Sequence, residues 1–288
     1  MTAAAGPGLS EADFERFREY FYKRTGIRFG ETKRYFVDKR IDACIRNAGY
    51  DNFTGWFVAL RLSERPDLQQ DLINQLTVNE TYFLREDYQF DALLHKVLPE
   101  VLAARGGPAR MTGPVKILSL PCSTGEEPYS IALRLLEEWE HIEDVDVEIH
   151  GADIDSEVLA WAVRASYGER SLQRVPKPWV TKYFTPVGAG RYQLDGGIRE
   201  AVTLHQVNAC DTAAMRLFRD FDVVFCRNML IYFDELSSRR AAENLYGVMR
   251  PGGYLFLGHS ESMSRISPIF TPTLLPEGIV YQRPTGAK

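Results

Sequence analysis

Several features that would indicate other protein classes are scarce in this chain of 288 residues. No apolar run approaches the ~18 residues that a membrane-spanning helix needs, and the first ten residues lack the apolar core of a secretory signal. The four cysteines form no CxxC motif and the five histidines have no metal-ligand spacing, so no metal site is expected. A formal net charge of −5 excludes general attraction to nucleic acid. We therefore expect a cytoplasmic protein with reduced thiols and no membrane insertion.

Residues 9–80 carry only helical periodicity, in four amphipathic segments with short polar connections. Ser10 is suited to cap the first segment, because its side chain accepts hydrogen bonds from a first helical turn. The pattern predicts an N-terminal all-helical domain, 9–80, built as a small bundle. A linker follows at 81–110, and most of it is expected to form an apolar helix over Asp87–Ala104, which Pro99 would kink or split in two.

From Val115 onward strands alternate with helices, which is typical of a parallel sheet. The alternation is interrupted at about 170–200, where prolines and glycines surround short strand patterns such as Arg191–Leu194. We expect a small, partly antiparallel insertion there, with exposed edge strands, and an antiparallel hairpin near the end of the chain. The predicted fold class is α/β, with a sheet domain at 111–288 that follows the helical domain.

The most informative segment, Leu118–Leu133, has the pattern of a buried strand, a glycine turn and a helix opened by Glu126 and Glu127. A strand that feeds a helix through such a turn is the usual place for a nucleotide-like ligand in an α/β sheet. Two carboxylates at this helix start would repel a pyrophosphate. A ribonucleoside with hydroxyls and positive charge is compatible with them, and S-adenosylmethionine is such a ligand.

A further acid is expected at the same edge of the sheet, because Asp153 ends the second strand of the series. An acid in that place suits bidentate hydrogen bonding to ribose hydroxyls. Asp155 is the alternative, although it or Ser156 is also suited to cap the next helix. The geometry of a strand end favours Asp153.

Five motifs, taken in order, carry a resemblance to a known family. They are LTVNETYFLR at 76–85, STGEEPYS at 123–130, ADID at 152–155, FCRNMLIYF at 225–233 and GHSE at 258–261. With them, and with its helical start and closing hairpin, the chain resembles the chemotaxis receptor glutamate methyltransferases (CheR), a branch of the class I S-adenosylmethionine-dependent methyltransferases. The resemblance covers essentially the whole chain. It implies a Rossmann-like sheet with a small β-subdomain, S-adenosylmethionine as cofactor and S-adenosylhomocysteine as product.

The resemblance also implies that residues of the linker and of several strand ends bind the cofactor. Arg85 would pair with the methionine carboxylate, and one helical turn is expected between Thr81 and Arg85, so that both point the same way. Asn208 and the backbone of Ala209 would meet the adenine. The implied cofactor-binding residues are Asn79, Thr81, Arg85, Glu126, Asp153, Asn208, Ala209, Cys226, Arg227 and Asn228.

Other residues near the motifs have a weaker implied role or none. Glu127 is the less expected ligand of the two acids that open the helix. Cys122 and Cys226 both follow predicted strands and either lie near one ligand or fill semi-buried space. His259 and Glu261 are expected to be structural residues or to line the rim of the pocket.

Arg227 and Tyr232 are the residues that the resemblance implies for the reaction itself. Arg227 ends a strand beside the expected methyl group, and Tyr232 either lines the acceptor pocket or packs as an ordinary aromatic. A glutamate side chain, with an unperturbed pKa near ~4.3, is already an ionised nucleophile at neutral pH. Neither a catalytic triad nor the Pro-Pro-Tyr motif of nucleic-acid amine methylases is present, and a carboxylate acceptor needs no base.

Basic residues dominate 33–46, which is predicted to be a helix and includes Arg34 and Arg40. This helix is either a solvated face with i,i+4 pairs or, as in the family, the surface that meets the acidic methylation helices of the receptor. In some members the β-subdomain also binds a receptor C-terminal peptide by strand addition, which edge strands around Arg191–Leu194 would suit. No heptad seam indicates more than a monomer.

The predicted function is transfer of a methyl group from S-adenosylmethionine to glutamate side chains of chemoreceptors. Two alternatives remain open at this point. One is the same fold acting on another protein or on a small acid. The other is a signalling module that binds S-adenosylmethionine or S-adenosylhomocysteine without turnover.

Overall fold

The computed structural model describes residues 9–62 and 65–286 of the chain. Within these ranges no helix is both long and apolar enough to cross a membrane. The prediction that the chain begins without a secretory signal concerns the first ten residues, of which 1–8 lie outside the described residues.

The chain divides into two compact units. The first comprises the described residues up to Val78 together with Tyr232–Ser237, and the second comprises the rest. The return of the chain to the first unit at Tyr232–Ser237 was not expected from the sequence. An isolated antiparallel bridge between Ile27 and Phe233 is one of the contacts that holds this segment there.

The first unit is helical, as predicted. Its helices are α1 (Glu11–Thr25), α2 (Arg34–Asn47), α3 (Phe53–Arg61) and α4 (Pro66–Leu76). The Ser10 hydroxyl caps α1 by accepting the Asp13 N–H at 3.1 Å. Phe14, Phe17 and Trp56 are fully buried in the core of the unit. Burial of each such side chain contributes about 1.5–3 kcal/mol, so packing rather than helix propensity stabilises the bundle.

The remaining helices of the chain are mostly short. They are α5 (Tyr88–Ala92), α6 (Leu98–Ala104), α7 (Glu126–Glu138), α8 (Ser156–Arg164), α9 (Glu169–Leu172), α10 (Lys177–Tyr183), α11 (Gly196–Glu200), α12 (Thr212–Met215), α13 (Glu235–Val248) and α14 (Met263–Ile266). A π-helical turn, Leu93–Val97, joins α5 to α6. The apolar helix predicted over Asp87–Ala104 is therefore three consecutive helical segments. Pro99 lies in the first turn of α6, where a missing N–H costs little.

The large sheet of the second unit confirms the predicted α/β class. The strands of the chain are β1 (Val115–Ser119), β2 (Val147–Asp153), β3 (Ser166–Gly168), β4 (Phe184–Gly188), β5 (Arg191–Leu194), β6 (Val202–Gln206), β7 (Phe221–Cys226), β8 (Met249–Leu257), β9 (Thr271–Leu275) and β10 (Gly278–Gln282). Seven of them form one sheet in the order β6-β2-β1-β7-β8-β10-β9. The first five are parallel to one another, and β10 and β9 add the predicted antiparallel hairpin. Leu118 of β1 pairs with His150 on one side and Val224 on the other, in the middle of a buried sheet.

The insertion forms a separate three-stranded antiparallel sheet in the order β3-β5-β4. The expectation of an exposed edge at Arg191–Leu194 is wrong, because this strand is the central one. Tyr192 pairs with Tyr167 of β3 on one side and with Pro186 of β4 on the other. The edges of this sheet are β3 and β4, so a peptide that adds a strand must pair with one of those two.

Two histidines face each other on neighbouring strands of the large sheet. Nδ1 of His150 in β2 lies 2.9 Å from Nε2 of His205 in β6, and their rings stack with centroids 5.2 Å apart. Phe221 and Phe218 pack against the two rings edge-on. Burial lowers the pKa of both histidines, and the charge of His150 lowers that of His205 further. The folded protein therefore favours the neutral pair.

We expect this pair to make the free energy of unfolding depend on pH. Its contribution is complete above the unfolded pKa of about 6.5 and is lost as pH falls toward the lower folded pKa, because the unfolded chain binds the protons more readily. His205→Gln should flatten this pH dependence and cost about 1 kcal/mol at pH 8 through the lost ring hydrogen bond. Urea unfolding between pH 5 and 8 measures both effects.

The exposed His95 supplies the matched control, since His95→Gln changes the same residue type outside the pair. It should leave the pH dependence of wild type intact. If His205→Gln retains the wild-type slope as well, the pair does not control this part of the pH profile.

Candidate functional site

The carboxyl ends of the five parallel strands meet at one edge of the large sheet, and the predicted site residues Asp153 and Cys226 end two of these strands. After β1 the chain enters α7 through Gly125, whose φ of 94° is in the left-handed region. A Cβ atom there would lie 2.8 Å from the Tyr129 ring and 3.0 Å from Ala162, so a larger residue would displace packed atoms. The predicted strand, glycine turn and helix are confirmed.

Asp153, at the end of β2, is buried and braces the turn that follows β1. One of its oxygens accepts the Ser123 N–H at 2.8 Å, and the other accepts the Asp155 N–H at 3.0 Å. Burial raises the pKa of the Asp153 carboxyl to about 6, against these backbone hydrogen bonds, which favour the charged form. An ionised carboxylate offers about four acceptor directions, so it can also accept from hydroxyl groups besides these backbone donors. This geometry fits a ribose.

Asp155 caps α8, which is one of its two predicted roles. Its Oδ1 accepts the N–H groups of Glu157 and Val158 at 2.9 and 3.2 Å. Its Oδ2 accepts the side-chain amide of Asn79 at 2.8 Å. A residue of the linker motif is therefore fixed to the residues that follow β2, as a shared ligand site requires.

The linker between Thr81 and Arg85 is not helical, so the expectation that one helical turn aligns these two residues is wrong. Leu84 and Glu86 both have a φ of 56°, which lies outside the α-helical region. The Leu84 N–H donates to the Ser130 hydroxyl at 2.9 Å instead of to a carbonyl of its own segment. Contacts with α7 therefore override the local helical spacing.

Glu126 is buried at the start of α7, and two hydroxyl groups bind its carboxylate. Thr124 donates to one oxygen at 2.5 Å, and Ser171 of the insertion donates to the other at 2.7 Å. Burial raises the pKa of Glu126, while both hydroxyls act in the opposite direction. The Glu126 carboxylate thus accepts hydrogen bonds from hydroxyl groups in the structure, and the ribose of a ribonucleoside would offer it further hydroxyl donors.

Arg227 follows β7, and both terminal nitrogens of its guanidinium contact other protein groups. The side chain is 2% exposed, with Nη1 3.0 Å from Glu127 and Nη2 3.3 Å from Glu86. Nη2 also donates to the backbone carbonyl of Arg85 at 2.6 Å. Arg227 thus lies between two carboxylates and fixes the backbone on which the Arg85 side chain is carried.

Each of the two carboxylates that bind Arg227 has a further polar partner. Nδ1 of the exposed His259 lies 2.9 Å from Glu86, and the Ser119 hydroxyl donates to Glu127 at 2.8 Å. Burial alone would raise the pKa of Glu86, but Arg227 and His259 outweigh it and the pKa is lowered. Burial raises the pKa of Glu127 although Arg227 opposes it. A continuous polar chain therefore runs from the surface to the end of β1.

Glu261 has a structural role, as predicted. Its Oε2 accepts the N–H groups of Asn228 and Gly258 at 2.8 and 2.9 Å, and its Oε1 accepts that of Leu230 at 2.7 Å. Asn228 has a φ of 58°, and the carboxylate stabilises this left-handed turn after β7. A Cβ atom at Gly258 would lie 2.9 Å from the Asn228 side chain, so the close approach needs glycine.

The residues expected near the adenine and the methyl group also lie at strand ends. Asn208 follows β6 and accepts the Cys210 N–H at 2.8 Å through its side-chain oxygen. The buried Ala209 accepts the Asn244 side-chain amide at its carbonyl, also at 2.8 Å. Cys226 is fully buried at the end of β7, and burial raises the pKa of its thiol well above the usual range. Its thiol is therefore neutral.

Tyr232 belongs to the first unit, unlike the other predicted site residues. It is 38% exposed at the end of a 3-10 turn, Leu230–Tyr232. An open pocket of about 980 Å³ lies wholly within the second unit. Linker residues 79–82 and five residues between 168 and 174 line it, and Thr81 is thereby placed beside Asn79.

Three exposed glutamates of the first unit, Glu11, Glu15 and Glu31, bring carboxylate oxygens within 4.8 Å of one another. Arg34 pairs with Glu11, and Arg18 pairs with the other two. Guanidinium groups already neutralise these acids, so the cluster is better explained by arginine pairing than by a metal ion.

Comparison with known proteins identifies the family. Residues 79–278 match the CheR methyltransferase SAM-binding domain, and residues 12–77 match the CheR methyltransferase all-alpha domain. The chain belongs to the CheR methyltransferase family. It contains a domain that binds S-adenosylmethionine, so the family and cofactor implied by the five motifs are confirmed.

Curated relatives extend over nearly the whole chain. Chemotaxis protein methyltransferase 2 of Vibrio cholerae is 45% identical over 280 residues, which cover 97% of this chain and 96% of the relative. Chemotaxis protein methyltransferase 1 of Pseudomonas aeruginosa is 32% identical, with 95% and 98% covered. Chemotaxis protein methyltransferase Cher2 of Pseudomonas putida is 30% identical, with 94% and 97% covered. The chain is an S-adenosylmethionine-dependent methyltransferase of this chemotaxis family.

Two residues of the site were missed from the sequence, Glu86 and Ser171. Glu86 directly follows the linker motif, but nothing in its neighbourhood indicates that it pairs with Arg227. Ser171 lies in the insertion, where no motif was recognised, and it reaches Glu126 only through the tertiary fold. Both contacts are long-range, so local patterns carry no signal for them.

We expect binding of S-adenosylhomocysteine to weaken about fourfold between pH 7.5 and 5.5, because a carboxyl with a pKa of about 6 loses its charge over this range. Asp153→Asn should bind about ten- to a hundredfold more weakly and lose this pH dependence, since hydrogen bonds to a charged acceptor are replaced by weaker ones. Isothermal titration calorimetry across the pH range measures both.

Glu157→Gln is the matched control, because Glu157 is an exposed acid in the first turn of α8. It should behave as wild type. Wild-type affinity and pH dependence in Asp153→Asn would remove Asp153 from the cofactor site.

Proposed function

We propose that this chain transfers the methyl group of S-adenosylmethionine to glutamate side chains in the cytoplasmic domains of chemoreceptors, forming methyl esters. One observation carries the proposal above all. Both the SAM-binding domain and the all-alpha domain match the family, and a chemotaxis protein methyltransferase is 45% identical over 97% of the chain. The chemistry of the site is consistent with a carboxylate acceptor.

When bound, S-adenosylmethionine supplies a methyl group already activated by its sulfonium. A glutamate carboxylate is ionised at neutral pH, so the protein has no proton to remove. The acids of the site have other tasks, since Glu127 is paired with Arg227 and Glu261 accepts backbone N–H groups. What the protein supplies is positioning and the exclusion of water, which together contribute up to roughly 7–11 kcal/mol.

In this proposal Asp153 holds the ribose hydroxyls, and Arg85 pairs with the methionine carboxylate. Arg227, expected from the sequence to take part in the reaction, acts by fixing the Arg85 backbone, because both terminal nitrogens of its guanidinium are already bound to protein groups. Tyr232 is proposed to line the pocket of the acceptor glutamate. The other proposed cofactor contacts are Asn79, Thr81, Glu126, Asn208, Ala209, Cys226 and Asn228.

The test is transfer of label from methyl-labelled S-adenosylmethionine to a receptor cytoplasmic fragment. We expect label that mild base releases as methanol, because carboxylate esters hydrolyse under these conditions, and no label on a fragment whose acceptor glutamates are changed to alanine. Base-stable label would indicate another acceptor group. Binding of the cofactor without transfer to any receptor fragment would favour a sensing module instead.

The basic helix α2 supports a receptor partner, with one change from the sequence-based expectation. Arg34 is bound within its own unit, since Nη2 donates to the Leu9 carbonyl at 2.6 Å and the guanidinium lies 4.6 Å from the Phe14 ring centroid. Lys39 and Arg46 are exposed and, in the ranges that the structure describes, form no ion pair. Two turns separate them, so they lie on one face of the helix and are better placed to attract an acidic surface.

Reversal of both charges, K39E with R46E, should lower kcat/KM for a receptor fragment about tenfold at low salt, because attraction to an acidic partner becomes repulsion. The difference from wild type should shrink toward 0.5 M salt as the charges are screened. Methylation rates over a series of salt concentrations measure it.

R216E with R219E is the control, because it changes net charge equally at two exposed arginines after α12. The same loss in both double variants would show an effect of net charge alone. A K39E/R46E variant with wild-type rates at low salt would remove α2 from the receptor interface.

A further inference from the structure

Two arginines of the insertion, Arg170 and Arg174, line the 980 Å³ pocket together with Asn79 and Thr81. Asn79 and Thr81 belong to the proposed cofactor site. An acceptor side chain that reaches the methyl group must therefore approach the same region of the second unit. The pocket is lined mostly by polar and charged groups, which suits a charged substrate rather than an apolar one.

The residues that line this pocket carry a net positive charge, because Arg170 and Arg174 stand against Glu80 alone. Glu80 is an acid of its lining, and it pairs with Arg170 at 2.8 Å through side chains that are 72% and 85% exposed. Arg174 forms no ion pair within 4 Å in the ranges 9–62 and 65–286, although its charge acts to lower the pKa of the Asp87 carboxyl against burial, and its guanidinium lies 5.8 Å from the Tyr82 ring centroid. The Arg85 guanidinium approaches the same ring, also at 5.8 Å. Guanidinium groups thus gather around Tyr82, with one carboxylate among them.

We propose that Arg170 and Arg174 form a subsite for acidic side chains that flank the acceptor glutamate, and that Glu80 competes with the substrate for Arg170. The inference rests on the proposed function, because it takes the acceptor to lie on a glutamate-rich helical surface. It also gives a role to the charge of Glu80, which nothing else in the linker motif explains.

The exchange at Arg170 is physically easy. Exposed ion pairs contribute little to stability, so a substrate carboxylate displaces Glu80 at small cost. Glu80 accepts a single hydrogen bond from Arg170, from Nη2 to Oε1, whereas the guanidinium fork can bind a substrate carboxylate through two. Arg174, whose electrostatic interaction with Asp87 is not a direct ion pair, gains a carboxylate in direct contact. A neutral side chain on the substrate would offer neither arginine an opposite charge, so the subsite favours acidic neighbours.

The methionine carboxylate of the cofactor is the competing occupant for these arginines. The two possibilities differ in which Michaelis constant changes. Substitution of an arginine that binds the substrate changes KM for the receptor fragment. Substitution of an arginine that binds the cofactor changes KM for S-adenosylmethionine. Steady-state kinetics with both substrates varied therefore separates them.

The experiment uses E80Q, R170Q and R174Q in the full chain at low ionic strength, with a receptor cytoplasmic fragment that wild type methylates. We expect E80Q to lower KM for the fragment about two- to fivefold, because Arg170 is released. R170Q and R174Q should raise that KM about three- to tenfold. KM for S-adenosylmethionine should stay within about twofold of wild type in all three. The double variant E80Q/R170Q should match R170Q, since Glu80 acts only through Arg170.

E169Q is the matched control for E80Q, because Glu169 is an exposed acid beside Arg170 that does not line the pocket. Thermal unfolding confirms that each variant folds. An E80Q enzyme that equals E169Q, or arginine variants that change KM for S-adenosylmethionine instead, would overturn the subsite. Failure of wild type itself to methylate any receptor fragment would overturn the proposed function and the subsite together, which is a different result from an active wild type with indifferent variants.

Discussion

The guanidinium of Arg227 ties together three parts of the second unit that are far apart in the sequence. It reaches Glu127 at the start of α7, the backbone carbonyl of Arg85, and Glu86 in the linker turn. Removal of one partner from a buried ion pair costs about 3–5 kcal/mol, because the other charge is left uncompensated. The end of β7, the start of α7 and the linker are therefore held in one arrangement. The proposed cofactor contacts come largely from these segments, so their geometry depends on this buried cation.

The acidic residues at this edge of the sheet stabilise the local backbone by accepting hydrogen bonds from its N–H groups. Asp153 braces the turn after β1, Asp155 caps α8, and Glu261 holds the turn after β7. Turns of this kind leave N–H groups without partners inside the chain, and a buried unsatisfied donor is costly. Carboxylates that satisfy these donors also create a rigid edge at which a ligand finds fixed acceptors. The same side chains thus preorganise the site and leave no obvious free base, which agrees with an acceptor that is already ionised.

The features that the sequence predicted correctly are local ones. A strand followed by Gly125 and an acidic helix start, or an acid at a helix N-cap such as Asp155, is encoded within a few residues. The wrong predictions concern segments whose conformation or position is determined by contacts with residues distant in the sequence. Thr81 and Arg85 have helical spacing, yet Leu84 bonds to α7 and the segment becomes a turn. Arg191–Leu194 has a strand pattern, but its place in the centre of the small sheet depends on which strands pair with it. Glu86 was missed for the same reason.

The proposed methyl transfer to glutamate needs no base, so its specificity depends on how the acceptor is positioned. Every carboxylate of an acidic helix is ionised at neutral pH, so chemistry alone does not distinguish one glutamate from its neighbours. Charges such as Lys39 and Arg46 act over a distance of about one Debye length, ~8–10 Å, and this attraction raises the encounter rate without selecting a residue. In the proposed subsite, a contact between Arg170 and a substrate carboxylate acts only at hydrogen-bond distance, so it depends on the register of the substrate helix. The two effects can therefore be separated by experiment. Salt strongly weakens the long-range attraction of the substrate, whereas the direct contact depends on which residues next to the acceptor glutamate are acidic.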